Sequence, residues 1–330
     1  MASLAPLLAL PHLEDDLARV EAALLDTVQT GDPILTEVAS HLVPAGGKRL
    51  RPALALCVGE LSGEPASEDV VMGACAVELV HMGSLYHDDV MDEAKTRRNV
   101  ESVNSRWGNL VAILAGDFLL ARASEIAASL GTEVAGLLAT TIGRLCEGQV
   151  RELSQTFDVG RSEEAYLASI AGKTAALMAT ACRIGAITAG IERPHVEAFT
   201  LYGQDLGMVF QIVDDILDVV ATDEELGKPA GNDLMEGVYT LPVIRALESA
   251  EADELRALLT GPLDRPTVDK ARTLIRSNGA VGSARAVARR YASDAASTLD
   301  AFGNLDAFGD SAVLDALRSL PNHLEESIPV

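Results

Sequence analysis

Basic residues are few. Lys and Arg number 26 against 49 Asp and Glu, a formal net charge of −23 with a pI near 4.5. Nucleic-acid binders show a basic excess, as do chains that dock on anionic membranes, so neither partner is expected. Long apolar runs are also missing. No stretch reaches the ~18 uninterrupted apolar residues of a membrane span, the best candidates being broken by Asp117 and Arg183, so stable membrane insertion is not expected. No basic leader opens the chain: Met1 to Pro11 is mildly apolar and runs at once into Glu14, Asp15 and Asp16. The four cysteines (Cys57, Cys75, Cys146 and Cys182) are dispersed, without CxxC or metal-site spacing. They read as small buried hydrophobes in a reducing, cytoplasmic setting. Period-2 alternation and the usual Asn-Gly hairpin signal are absent. Aromatics are only 4% of residues, so long helices here must pack closely on small side chains.

What is present is helical periodicity. Leu13, Leu17, Val20, Leu24 and Val28 recur at i, i+3/i+4 spacing, and segments 66–92, 109–129, 132–155, 162–190 and 194–222 behave alike. Ala is the leading filler and the best helix former. Gly and Pro punctuate helix ends but no low-complexity linker divides the chain. One all-α domain over 1–330 is expected: a helical bundle with its motifs in about 30–245 and short amphipathic helices over 246–330.

Two aspartate clusters break this apolar background. Asp88-Asp89-Val90-Met91-Asp92 and Asp214-Asp215-Ile216-Leu217-Asp218 are both DDxxD, each closing an apolar helical run. Like charges at i, i+4 weaken a helix by a few tenths of a kcal/mol, so stacked carboxylates need a reason. A solvated acidic face explains one cluster taken alone; two copies point to a hard cation. Mg²⁺ takes one or two carboxylates plus waters and phosphate oxygens. The sparse cations gather near the clusters: Lys48 and Arg51 in GGKRLRP, i, i+3 on one helical face; Lys95, Arg97 and Arg98 after the first; Lys173 in mid-helix; Lys228 after the second. Arg suits multidentate phosphate binding and Lys supplies a point charge. Two anionic groups are implied, one held through metal and one by side chains.

Six separated motifs, in order, carry a specific resemblance: Gly46 to Pro52, HMGSLYHDDVMD from His81 to Asp92, Thr96 to Arg98, Lys173-Thr174, FQIVDDILD from Phe210 to Asp218, and GKPAGND from Gly227 to Asp233. Over roughly 30–245 the chain resembles the trans-isoprenyl diphosphate synthase (polyprenyl synthetase) family. The resemblance implies an all-α isoprenoid synthase bundle around a deep cavity, a homodimer, and three Mg²⁺ per site. The substrates it implies are isopentenyl diphosphate and an allylic diphosphate. By the same resemblance Asp88, Asp92 and Asp214 bind metal, and Asp89, Asp215 and Asp218 are further ligands or water holders. Arg97, Lys173 and Lys228 would contact the allylic diphosphate. Lys48, Arg51, His81 and Arg98 would hold isopentenyl diphosphate. Thr174 and Gln211 would place oxygens near an allylic cation, completing a catalytic set with Lys173 and Lys228.

Other polar residues have plainer readings. His81 also fits a core histidine, His87 reads as structural and Asp117 as a buried hydrogen-bonding group, while Glu147 and Gln149 fit either cavity or surface. Two positions depart from the family pattern: Asn99 stands where many members have Gly, and Val238 where many have Lys. One turn before Asp88 lie Gly83 and Ser84, then Leu79 and Val80, with no aromatic from Leu119 to Thr156. One turn rises ~5.4 Å, about one isoprene unit, so a cavity open beneath the first cluster favours a medium or long product of about C30–C50. A geranylgeranyl or farnesyl diphosphate synthase is the alternative within the family. From other classes, a class I terpene cyclase or a non-catalytic helical subunit is weighed against intact motifs and the basic set.

Overall fold

The computed structural model describes residues 5–226, 229–249, 252–300 and 311–329. The first helices are α1 (Ala5–Leu8), α2 (Leu13–Thr27), α3 (Pro33–Ser40), α4 (Leu50–Gly59) and α5 (Glu68–Met91). A two-stranded hairpin, β1 (Thr96–Arg97) with β2 (Val100–Glu101), separates them from α6 (Val103–Trp107), α7 (Asn109–Ser129) and α8 (Thr132–Leu153). Next, α9 (Glu163–Ile170) and α10 (Ala176–Thr188) are joined by one π turn at Ala171–Ala175. The long α11 (Arg193–Val220) follows. The shorter α12 (Asp223–Leu226), α13 (Asn232–Glu236), α14 (Leu241–Leu247), α15 (Ala252–Leu258) and α16 (Arg265–Ser277) lead to α17 (Ala280–Asp300) and α18 (Ser311–Glu326). The expected all-α class holds, and the expected helices match closely. The C-terminal part is not all short helices, since α17 has 21 residues.

Capping residues explain several starts. Asp32 caps α3 by accepting from the Ile34 and Leu35 amides, Ser67 caps α5, Ser162 caps α9 and Asp264 caps α16. Glu68 and Asp69, and Glu163 and Glu164, place negative charge on the positive helix ends. In the interior α5 lies along α7, while α10 lies against α4 and α11. Glycines make this spacing possible. A Cβ on Gly83 would lie 3.0 Å from the Gly116 carbonyl, and one on Gly172 would lie 2.8 Å from the Arg144 carbonyl. The main core runs from Leu7 to Ile328 through these helices. A second cluster, with Val219, Leu234, Tyr239, Val243, Leu255, Val268 and Ile275, anchors the segments that follow α11. The Glu163–Thr188 stretch is long and apolar enough to cross a membrane, but 78% of its apolar window is buried inside the bundle.

Candidate active site

Helix α5 ends in the first Asp cluster and α11 carries the second, and one cavity of about 830 Å³ lies between them. The carboxylates of each cluster do not act alike. Asp88, Asp92 and Asp214 line the cavity. Asp89 is fully buried and turned away: it accepts from Arg97 Nε at 2.7 Å and Nη2 at 2.5 Å. Asp215 is buried too, accepting from Tyr166 Oη at 2.6 Å and Gln211 Nε2 at 2.8 Å. Asp218 faces the start of α13, where the Asn232 and Asp233 amides donate to its carboxylate at 3.3 and 3.2 Å. Asp89, Asp215 and Asp218, expected as further ligands or water holders, thus stand behind the cavity lining, each held by neighbouring groups. On a helix, residues one apart point about 100° away from each other, so Asp88 and Asp89 cannot share a face.

Among the described residues, none of Asp88, Asp92 and Asp214 joins an ion pair within 4 Å. Burial raises the pKa of Asp88, with Lys173 and Arg97 pulling it back and Asp92 adding to the rise. Burial raises Asp92 likewise, against Lys173 and Arg97. Uncompensated carboxylates converging on one cavity suit a hard divalent cation that completes its shell with water and phosphate oxygens. Among the described residues no three metal-ligating side chains already form a closed cage.

Lys173 and Thr174 sit in the π turn, which places both on the cavity wall. Such turns recur at functional sites because they re-aim side chains. Lys173 Nζ donates to Glu152 Oε1 at 2.6 Å. Burial works against its ammonium, but Glu152, Asp88 and Asp92 outweigh that and raise its pKa. Thr174 Oγ1 donates to Gln211 Oε1 at 2.7 Å, and Gln211 passes the order on to Asp215. Lys228 lies outside the described residues.

The second basic group lines the same cavity. Lys48, Arg51, His81 and Arg98 all line the cavity, and Lys48 stands over the Phe210 ring at 5.6 Å. Lys48 precedes α4, whose cap is Arg49 at φ +47, so Lys48 and Arg51 do not share the expected helical face. Arg98 and Asn99, at φ +51 and +63, form the two-residue turn of the hairpin that hydrophobic patterning did not reveal. Both positive φ angles mark a primed turn. Asn tolerates this conformation, which accounts for Asn99 where many members have Gly. Arg98 is held there by donating to the Gly46 carbonyl. Burial pushes Arg51 down to about 10, with Glu78 opposing and Arg98 adding to the fall. Burial, then Arg51 and Arg98, keeps His81 well below its ordinary pKa, hence neutral.

Several contributors escaped the sequence reading. Glu78 is 1% exposed, accepts from Arg49 Nη1 at 2.6 Å and lies 3.6 Å from Arg98 Nη2. It offsets the crowded guanidinium groups of the basic wall. A lone Glu inside ACAVELVHM was the available signal. Asp117 is not buried: its side chain is 64% exposed, 3.4 Å from His87 Nε2. Glu147 pairs with Arg151 at 3.6 Å on the surface, and neither it nor Gln149 lines the cavity.

The polyprenyl synthetase family model matches residues 32–275. The chain belongs to the polyprenyl synthetase family. It is 40% identical to a nonaprenyl diphosphate synthase of Mycobacterium tuberculosis over 84% of each chain. It is 39% identical to heptaprenyl diphosphate synthase component 2 of Geobacillus stearothermophilus, covering 87% of this chain and 90% of that one. The fold superposes with a TM-score of 0.89 on a polyprenyl synthase from Caulobacter crescentus CB15 complexed with calcium and isoprenyl diphosphate, at 33% identity and 99% coverage of both chains. In this polyprenyl synthetase, one cavity thus joins a carboxylate wall to a basic wall.

Proposed function

We propose that this chain is a prenyltransferase, an all-trans polyprenyl diphosphate synthase that extends an allylic diphosphate with isopentenyl diphosphate to a medium or long product. The carrying observation is the cavity itself: Asp88, Asp92 and Asp214 line it together with Lys48, Arg51, His81 and Arg98. The allylic diphosphate belongs on the carboxylate side, beside Lys173 and Arg97. Isopentenyl diphosphate belongs on the basic side, where no metal is needed. Asp88, Asp92 and Asp214 would hold Mg²⁺, three ions by family resemblance, which when bound supplies positive charge at the leaving diphosphate. Lys173 and Arg97 steady the same diphosphate as the allylic C–O bond opens. Thr174 and Gln211, locked together by their 2.7 Å bond, aim oxygens at the developing cation. The isopentenyl double bond forms the new C–C bond, and the departed diphosphate accepts the proton then lost.

The medium or long product is supported by the similarity to nonaprenyl and heptaprenyl diphosphate synthases and by the small residues on α5 next to Asp88. Ser84 and Leu85 line the cavity one turn before Asp88, and neither is aromatic. Gly83, by contrast, is used to pack against α7. The basic wall disfavours a cyclase, which needs no second diphosphate site. A homodimer is part of the proposal, because Leu110 and Leu114 on α7 and Val150 and Leu153 on α8 are 50–79% exposed. Cys57, Cys75 and Cys182 are buried free thiols, whereas Cys146, expected to be buried, is an exposed one; free thiols suit the cytoplasm. The test is incubation with labelled isopentenyl diphosphate, an allylic primer and Mg²⁺, read by product mass. Products of about C30–C50 are expected; no consumption with any primer would sink the reading.

A further inference from the structure

Thr174 and Gln211 line the cavity, but what orients them lies behind it. Thr174 Oγ1 donates to Gln211 Oε1 at 2.7 Å, so its proton is spent and lone pairs are what it shows the cavity. That polarity needs the Gln211 amide one way round. An amide that offers its oxygen to Thr174 must turn its NH2 elsewhere, and Nε2 donates to Asp215 Oδ1 at 2.8 Å. Asp215 Oδ1 must therefore stay an acceptor. The other oxygen of Asp215 accepts from Tyr166 Oη at 2.6 Å. A phenol suits this place, because it donates to a carboxylate and equally accepts from a protonated carboxyl, leaving Oδ1 to Gln211 in either state. Tyr166 and Asp215 are 1% and 4% exposed, so bulk water does not replace a lost partner.

The four residues close a circuit. Tyr166 lies near the start of α9 and Thr174 in the π turn that follows it, while Gln211 and Asp215 are one helical turn apart on α11. Two hydrogen bonds thus staple the π turn and its helix to α11. Packing supports the same seam: a Cβ on Gly207 would collide with the Ala175 Cα. Arg161, which donates to the Tyr239 carbonyl at 3.1 Å, sets its guanidinium carbon 5.5 Å from the Tyr166 ring.

We propose that Tyr166 is a positioning residue for the condensation: through Asp215 it fixes the Gln211 amide, and so keeps the lone pairs of Thr174 turned to the allylic cation. Tyr166 itself does not line the cavity. Without its hydroxyl, one Asp215 oxygen is left buried with no partner. A protonated Asp215 can then donate to Gln211 from Oδ1; the amide reverses, and Thr174 turns its proton inward. This rests on the reading of Thr174 and Gln211 as the oxygens beside that cation.

The experiment is a double-mutant cycle on the full chain, read by single-turnover condensation with enzyme in excess over the allylic primer, labelled isopentenyl diphosphate and Mg²⁺. Tyr166→Phe should slow the single turnover about ten-fold, while steady-state KM for each substrate stays within about two-fold, since the diphosphate contacts are untouched. Thr174→Val, which removes the oxygen itself, should slow it about 10²-fold. In the Thr174→Val chain, Tyr166→Phe should cost less than about two-fold more, because it acts through that oxygen. A merely structural Tyr166 would lower the rate by the same factor in both backgrounds. That result, an unchanged rate in Tyr166→Phe, or a rise in both KM values overturns the proposal. If Tyr166→Phe does not fold by circular dichroism, Tyr166→Phe with Asp215→Leu takes its place, since apolar groups for both members of the pair leave nothing stranded. The same lack of additivity with Thr174→Val is expected of it. Near-normal condensation by Thr174→Val would remove the reading of the cation's oxygens together with the inference. Slow condensation by Thr174→Val, with the Tyr166→Phe loss undiminished on top of it, removes only the inference.

Discussion

Arg97 and Asp89 form a closed pair beside the cavity, with Arg97 Nε 2.7 Å and Nη2 2.5 Å from Asp89 Oδ1. Asp88, one residue earlier, faces the cavity with no ion pair among the described residues. Neighbours in sequence thus do different work, and substitution should separate them. Asp88→Ala should lower turnover on the order of 10³-fold with helical content intact. Asp89→Asn should act through the released Arg97, chiefly raising the allylic KM, about ten-fold. Steady-state kinetics with each substrate varied in turn checks this. Near-normal turnover in Asp88→Ala would remove the metal assignment.

Gly148 on α8 meets the π turn so closely that a Cβ there would collide with the Lys173 amide and lie 2.8 Å from the Ser169 carbonyl. Backbone cannot yield as a flexible side chain can. Gly148→Ala should cost about 2–3 kcal/mol in urea unfolding despite the better helix propensity of Ala. It should also lower turnover, since Lys173 moves with the turn. Unchanged stability would show that α8 and the turn slide apart freely.

Most of the helices and both Asp clusters were legible, because a 3.6-residue period and a repeated DDxxD are local signals. The partition within each cluster was half legible. Helix geometry separates Asp88 from Asp89, but nothing local shows that Asp218, on the same face as Asp214, is claimed by the Asn232 and Asp233 amides. The same limit hid Glu78, Glu152 and Arg161, whose partners come from distant elements. The hairpin was missed because its turn puts Arg98, a residue with no local signal for positive φ, at the first turn position, where its side chain donates to the Gly46 carbonyl.

The exposed apolar face of α7 and α8 predicts self-association. Leu110 is 79% and Leu114 65% exposed, more apolar surface than a lone molecule of this size usefully shows water. Leu110→Glu with Leu114→Glu should convert a dimer into a monomer in light scattering, at a cost of more than ten-fold in dimer affinity. A wild-type chain that is already monomeric at micromolar concentration would refute the dimer.

Glu60 is 2% exposed, with Oε1 unpartnered, and burial, then hydrogen bonding to Asp16, pushes its carboxyl up to about 8. The unfolded chain releases that proton near pH 4.5, the folded chain near 8. Between those values the folded state binds more protons, so this group's contribution falls as pH rises and is flat above the folded value. Glu60→Gln should remove the decline and stabilise the chain at pH 8.5 by roughly 2–4 kcal/mol relative to wild type. Urea midpoints at pH 5, 7 and 8.5 test it; parallel curves for the two chains would count against it.

Ser84 offers the sharpest handle on product length. It lies one helical turn before Asp88, lines the cavity, and spends its hydroxyl on the His81 carbonyl at 2.8 Å. Its partner position Gly83 is closed to enlargement by the Gly116 carbonyl, so Ser84 is where bulk can enter the cavity without parting α5 from α7. A Phe there reaches across the path of the growing chain about one turn below the reacting carbon, where each turn of ~5.4 Å spans roughly one isoprene unit. Ser84→Phe should therefore shorten the product to about C20 or less while leaving the first condensation within a few-fold of wild type, because the diphosphate sites are untouched. Chromatography of the dephosphorylated products decides it. An unchanged product would mean that the chain grows along another wall.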